Sequence, residues 1–141
     1  MSTVNVVNVV FVGSNPSSSS PDSSPFHVSV RSRKTLESWI ENLNANFTFI
    51  NVCDDKTEGN KPLSVAQIRE ARDSLIAKLA QHPDAKMVSL GKTAARALAE
   101  AGVSVFLALP HPSGMNRKLN DPDTVRNTKE SLTKYINEGI I

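Results

Sequence analysis

The sequence predicts a three-layer α/β/α sandwich on a four-stranded, mainly parallel central sheet. Three observations predict it. Four β-rich runs alternate with helical patterns in the order βαβαβαβα, and that order favours parallel strands joined by helical crossovers. Runs two to four are short and mostly apolar, as strands covered on both faces are. Long or chemically unusual segments follow the runs, at the strand ends where open α/β sheets bind their ligands.

The first run is "VNVVNVVFVG", Val4 to Gly13. It lacks a positive n-region and a small-residue cleavage site, so it reads as a strand and not as a signal peptide. "GSNPSSSSPDSSPFH" follows. Its serine tract, Ser17 to Ser24, has the composition of a flexible linker. A linker inside a compact βα connection is unusual unless the loop is functional, and we read it as functional. Leu36, Trp39, Ile40 and Leu43 then fall at i, i+3, i+4 and i+7, the apolar stripe of a helix.

The second run is "FTFINV", Phe47 to Val52, followed by "CDDKTEGNKPLS". Asp54 and Asp55 read as a solvated acidic loop. Ser64 and Gln67 form a capping box opening a helix with Val65, Ile68, Leu75, Ile76 and Leu79 on one side. The third run is "KMVSLG", Lys86 to Gly91. The "GKT" after it fails as a phosphate-cradling P-loop, because Lys86 stands where the pattern needs its first Gly. Gly91 reads as a close-packing turn and Thr93 as a helix cap. "TAARALAEAG" stops at Gly102. The fourth run is "VSVFLALP", Val103 to Pro110. Asp121 and Pro122 read as N-cap and first residue of a last helix carrying Val125, Leu132, Tyr135 and Ile136.

A chain of 141 residues suits one domain, residues 1–141, with a core that needs no staples. Its formal net charge of +2 does not announce a nucleic-acid binder, so any basic face is local. Cys53 is the only cysteine, and His27, His82 and His111 have no metal-ligand spacing. We therefore expect no disulfide within the chain, no metal, no iron–sulfur cluster and no other cofactor. No apolar run approaches the ~18 residues of a membrane span. A reduced, cytoplasmic setting without membrane contact is expected.

The loop "LPHPSGMNR" carries the densest chemistry. Prolines flank His111 on both sides and stiffen the backbone. Ser113 offers a hydroxyl, and Gly114 lets amides approach a phosphate closely. A rigid imidazole beside an anion-binding turn is a chemical proposal that a lone histidine would not make.

In order along the chain, these blocks resemble the uracil-DNA glycosylase superfamily, and the likeness covers most of the sequence. "GSNPS" looks like its water-positioning motif. "SPFHVSVRSRKTLESWI" is similar to its Pro-Phe loop and first helix. "FINVCDDKTEGNKPLSVAQIREARDSLIAKL" resembles its base-reading strand, loop and helix, and "KMVSLGKTAARAL" its third strand and helix. "LPHPSGMNR" matches its His-Pro-Ser loop and is the most specific block. The closest likeness is to small members that bear Asn in the water-positioning motif and a His-Pro-Ser-Gly loop.

The resemblance implies residue roles. Asn15 positions the attacking water, and Gly13, Ser14, Pro16 and Ser17 shape that side of the pocket. Phe26 stacks on the flipped pyrimidine, and Asn51 reads its Watson–Crick edge. His111 donates to the base oxygen that gains charge. Ser113, Gly114 and Asn116 hold DNA phosphate, with Lys92 a further DNA contact. Met115 fills the gap left by the extruded nucleotide, and Arg117 contacts the backbone or the opposite strand.

The implied activity is monofunctional DNA glycosylase action on uracil or a modified pyrimidine in duplex or single-stranded DNA, by a monomer. The chain departs from the pattern in two places. Asn15 stands where the most active uracil-excising relatives have Asp. Small Ser17 stands where strict uracil enzymes have a bulky Tyr, so a 5-substituted pyrimidine fits. The alternative is a catalytically weak or inactive nucleic-acid- or nucleotide-binding protein on the same fold. A nucleotide hydrolase or transferase rests on architecture alone.

Overall fold

The computed structural model describes residues 7–112 and 117–139. Four strands, β1 (Asn8–Gly13), β2 (Asn46–Asn51), β3 (Lys86–Leu90) and β4 (Leu107–Leu109), form one sheet. The order is β2-β1-β3-β4, and every pairing is parallel. Four α-helices connect or follow them: α1 (Arg31–Ile40), α2 (Val65–Ala80), α3 (Lys92–Glu100) and α4 (Pro122–Glu138). The three-layer α/β arrangement read from the alternation is the one observed.

Strand periodicity divides the core in two. In β1, Val9 and Phe11 face one side and Val10 and Val12 the other, and all four are buried, as a central strand covered on both faces requires. On the first side they join Leu36 and Trp39 of α1 and Leu132, Tyr135 and Ile136 of α4. On the second they join Ile68 and Leu75 of α2 and Ala94, Ala97 and Leu98 of α3. Phe11 stacks on Phe47 and Phe49 of β2, with ring centroids 5.7 and 5.8 Å apart.

Local signals hold at the caps. Ser64 Oγ accepts from the Gln67 amide at 3.1 Å while Gln67 Oε1 accepts from the Ser64 amide at 2.8 Å. Asp121 accepts from the Asp123 amide, with Pro122 opening α4. Gly102, with φ 88°, follows the end of α3.

Three expectations change. The fourth strand has three residues and does not extend from Val103 to Pro110. The Val103 amide instead closes the end of α3 on the Leu98 carbonyl, and Val105 is 63% exposed. In α2, Ile68 and Leu75 are buried while Val65 and Ile76 are exposed, because the buried seam is narrower than the apolar pattern. Thr93 does not cap α3. Gly91 is the N-cap and has no side chain to offer, so Thr93 already lies inside the helix. The expected start of β1 at Val4 lies outside the described residues.

The strand order sets the site. From β1 the chain crosses to β2 on one side, and β3 lies on the other. The crevice therefore opens at the C-terminal ends of β1 and β3. The cap geometry makes a stability prediction: Ser64→Ala costs about 1 kcal/mol, read as a lower urea midpoint with an unchanged slope.

Candidate active site

A cavity of about 630 Å³ opens over the C-terminal ends of the strands. Its walls come from the loop after β1, the end of β2 with its following loop, the start of α3 and the segment after β4. A shallower groove of about 670 Å³ runs along α4 past Val125, Arg126 and Lys129. Its described walls come from that one helix and carry no converging set of polar groups.

Gly13 is the pivot of the cavity floor. It pairs in register with Asn51. A Cβ placed on it would lie 2.7 Å from Phe26 Cε2 and 2.8 Å from Asn51 Oδ1. Only a residue without a side chain lets the ring and the amide close over the strand end. Asn51 is buried, and its Nδ2 has no partner among the described residues. Phe26 is buried with φ 48°, a conformation that is an outlier for a bulky residue and that recurs at functional sites. The Arg33 guanidinium holds it there by donating to the Phe26 carbonyl at 2.9 Å while lying 4.3 Å from the Phe49 ring centre.

Asn15 is fixed from three sides. Its Nδ2 donates to the Asp55 carbonyl at 3.1 Å and to Thr57 Oγ1 at 3.3 Å. The Thr57 hydroxyl spends its own proton on the Lys61 carbonyl, so toward Asn15 it is an acceptor. Both partners demand N–H, and this settles which end of the amide faces the loop. Oδ1 accepts from the Ser14 hydroxyl at 3.0 Å, and a carbonyl oxygen with two lone pairs keeps one more for a ligand. The loops after β1 and β2 are clasped further by the Ser18 amide on Asn60 Oδ1 and by Lys56 Nζ on the Ser20 carbonyl.

His111 closes the opposite end. Gly91, at φ 92°, donates its amide to the Leu109 carbonyl at 2.8 Å. A Cβ on Gly91 would lie 3.2 Å from His111 Cβ, so the turn lets the loop after β4 rest on the start of α3. The His111 and Phe26 rings tilt against each other with centroids 6.1 Å apart. Burial lowers the pKa of His111 below its ordinary 6.5, because desolvation disfavours the charged ring. At neutral pH the ring is uncharged, with one N–H to donate.

Gly13, Ser14, Asn15, Pro16, Ser17, Phe26, Asn51, Lys92 and His111 thus meet at one cavity, Gly13 through its contacts and the others as lining residues. Ser113, Gly114, Met115 and Asn116 lie outside the described residues, and Arg117 enters only through its backbone, at the start of a short 3₁₀ turn. Sequence reasoning missed Thr57, Arg31 and Lys61. Arg31 and Lys61 line the cavity with Lys92, and no carboxylate is among the described lining residues. Thr57 carries no local signal, since its partner is 42 residues away. Asp54 pairs with Lys78 at 2.9 Å and remains largely exposed. Among the described residues no group of His, Cys, Asp and Glu is placed to hold a metal, and no helix is long and apolar enough to cross a membrane.

A parallel α/β sheet with an amide, an aromatic ring and an imidazole around one cleft at its carboxyl edge defines a class, the open α/β proteins whose sites lie at the strand ends. The family model of the uracil DNA glycosylase superfamily matches residues 3–138, and the chain belongs to that superfamily. No curated protein and no solved structure matches it. Membership supports a DNA glycosylase-type function in general terms, with DNA as the partner.

The lowered pKa of His111 has a signed consequence. Between that value and 6.5 the unfolded chain binds more protons than the folded one, so stability falls as pH drops through this window. The His111 ring resonances should titrate with a midpoint below 6.5, and His111→Gln should lose this part of the acid-side decline in chemical denaturation. A midpoint at or above 6.5 contradicts the burial argument.

Proposed function

We propose that the chain is a monofunctional DNA glycosylase that hydrolyses the N-glycosidic bond of uracil or a modified pyrimidine flipped out of DNA, leaving an abasic site. The supporting observation is that Asn15 and His111, from opposite ends of the chain, line one cavity with Phe26 and Asn51.

In this reading Phe26 stacks on the extruded base and the Asn51 amide hydrogen-bonds its Watson–Crick edge. As the bond from N1 to C1′ breaks, its electron pair passes to the base, and negative charge gathers on the exocyclic carbonyl oxygen of the ring carbon beside N1. The His111 N–H donates to that oxygen. A preorganised donor of this kind contributes roughly 3 kcal/mol. Asn15 Oδ1 accepts a hydrogen bond from the water that attacks C1′. The sugar carbon already has cationic character, so the water needs aim more than deprotonation. Its proton leaves to solvent once the C–O bond has formed.

Arg31, Lys61 and Lys92 at the cavity suit flanking phosphates. Ser113, Gly114, Asn116 and Arg117 are proposed as further backbone contacts and Met115 as the wedge in the vacated stack. Ser17, Ser19, Ser20 and Asn60 line the same cavity. Their small polar side chains support room for a substituent on the pyrimidine. One observation favours the binding-protein alternative: Asn15 is an amide and cannot take a proton.

The test is an abasic-site assay on single-stranded and duplex oligonucleotides carrying uracil, a T:G mismatch, 5-hydroxymethyluracil or modified cytosine. Alkali-labile product from at least one is expected. His111→Ala should slow single-turnover excision about 10²- to 10³-fold and Asn15→Ala about a hundredfold, with DNA binding retained. Tight binding without product on every base supports the binding protein instead, and unchanged rates in both variants remove the assigned roles.

A further inference from the structure

We infer that Thr57 is a positioning residue for Asn15, and that the loop after β2 makes position 15 a site for an amide and not for a carboxylate. The inference rests on the role proposed for Asn15 and deepens it.

The geometry leaves one arrangement. Thr57 Oγ1 donates to the Lys61 carbonyl at 2.6 Å, and a hydroxyl has one proton. Its remaining capacity toward Asn15 is as an acceptor. The second partner of Asn15 Nδ2, the Asp55 carbonyl, is an acceptor always. Two acceptors therefore converge on one terminal atom of residue 15, and only an N–H₂ group satisfies both. A carboxylate there would set a charged oxygen against a carbonyl oxygen and a hydroxyl lone pair. To accommodate it, the Thr57 hydroxyl would have to leave Lys61, opening the turn between residues 57 and 61.

The consequence reaches the cavity. With Nδ2 held, Oδ1 points away from the loop to the side where Ser14 meets it, and its free lone pair becomes the acceptor offered to water. Thr57 is half-buried, and the clasp it belongs to also includes the Ser18 amide on Asn60. The loop thus orients a group that it does not share a strand with. The Asn at this position is then the residue its surroundings select, and not a weakened aspartate.

Two measurements on the full chain test this. The first follows the side-chain amide protons of Asn15 by NMR. In the wild type they should be protected from solvent exchange. Thr57→Val, which keeps the shape and removes both the acceptor for Asn15 and the donor to the Lys61 carbonyl, should abolish that protection, and Thr57→Ser, which keeps both, should restore it. The second is single-turnover excision of the best substrate base. Thr57→Val should slow the chemical step at least tenfold with the half-saturating DNA concentration within twofold, Thr57→Ser should recover most of the rate, and Asn15→Asp should also be at least tenfold slower than wild type.

An Asn15→Asp rate equal to or above wild type overturns the selection for an amide. Amide protons unchanged by Thr57→Val overturn the positioning role, as does a full excision rate in that variant. If the wild type excises no base, the glycosylase reading fails separately, and the amide-proton result alone decides whether Thr57 positions Asn15.

Discussion

The close approach permitted at Gly13 is the constraint on which the site depends. The end of β1 carries no side chain there, so the edge of Phe26 and the amide of Asn51 both come within van der Waals range of the strand. This seats Phe26 in a left-handed conformation, a strain of order 1–3 kcal/mol. The strain is held by the core and not by the loop. Arg33 from α1 grips the Phe26 carbonyl and lies on Phe49, and Phe49 stacks on fully buried Phe11. The Phe26 ring is thus tied through three side chains to the centre of the sheet. A site that must receive a flat ring against a fixed surface gains from such rigidity, because little ordering is left to do on binding.

Electrostatics follow the same local logic. A net charge of +2 gives weak attraction to a polyanion at long range. The cavity gathers Arg31, Lys61 and Lys92 without a lining carboxylate among the described residues, and the charged pairs on helix faces, such as Arg96 with Glu100, lie elsewhere. Charge is sorted by position and not by total. Within the cavity the one titratable ring on the far wall, His111, is held neutral by burial. In the proposed reading the cations meet the phosphates outside, and an uncharged donor meets the base inside. A charged imidazole would bind the departing base more strongly in its ground state too, which adds affinity without accelerating bond cleavage.

The layer order and all four strands could be read from the chain because their signals are local: alternation in β1, short apolar runs, a capping box at Ser64 and Asp121–Pro122 at the head of α4. The errors are equally physical. Val103 to Phe106 reads as strand by composition, yet nothing pairs with it beyond the reach of β3, and its first amide is drawn to the end of α3. In the site, Asn15, Asn51 and His111 could be singled out because they fall in blocks that resemble the family's motifs in order, each at a strand's last residue or two residues beyond it. Thr57, Arg31 and Lys61 were not, because their significance comes from loops that meet only after folding. No periodicity marks a threonine whose partner lies across a clasp.

Unsatisfied polar groups give a further argument for where the protein expects a ligand. Among the described residues, Ser20 Oγ, Asn51 Nδ2 and Ser89 Oγ are buried without a hydrogen-bond partner. Leaving each so costs about 1–3 kcal/mol, a large share of the stability of a small domain. For Ser89, inside the sheet, nothing in the structure explains the cost. Ser20 and Asn51 differ because both line the cavity. A buried donor at a strand end on the cavity is one that an acceptor on an incoming base would match in the proposed reading. The unpartnered amide of Asn51 then costs folding free energy that a pyrimidine edge would offset. In the proposed reading that difference, and not the size of the cavity, favours a ring with hydrogen-bonding edges over an apolar one of the same shape.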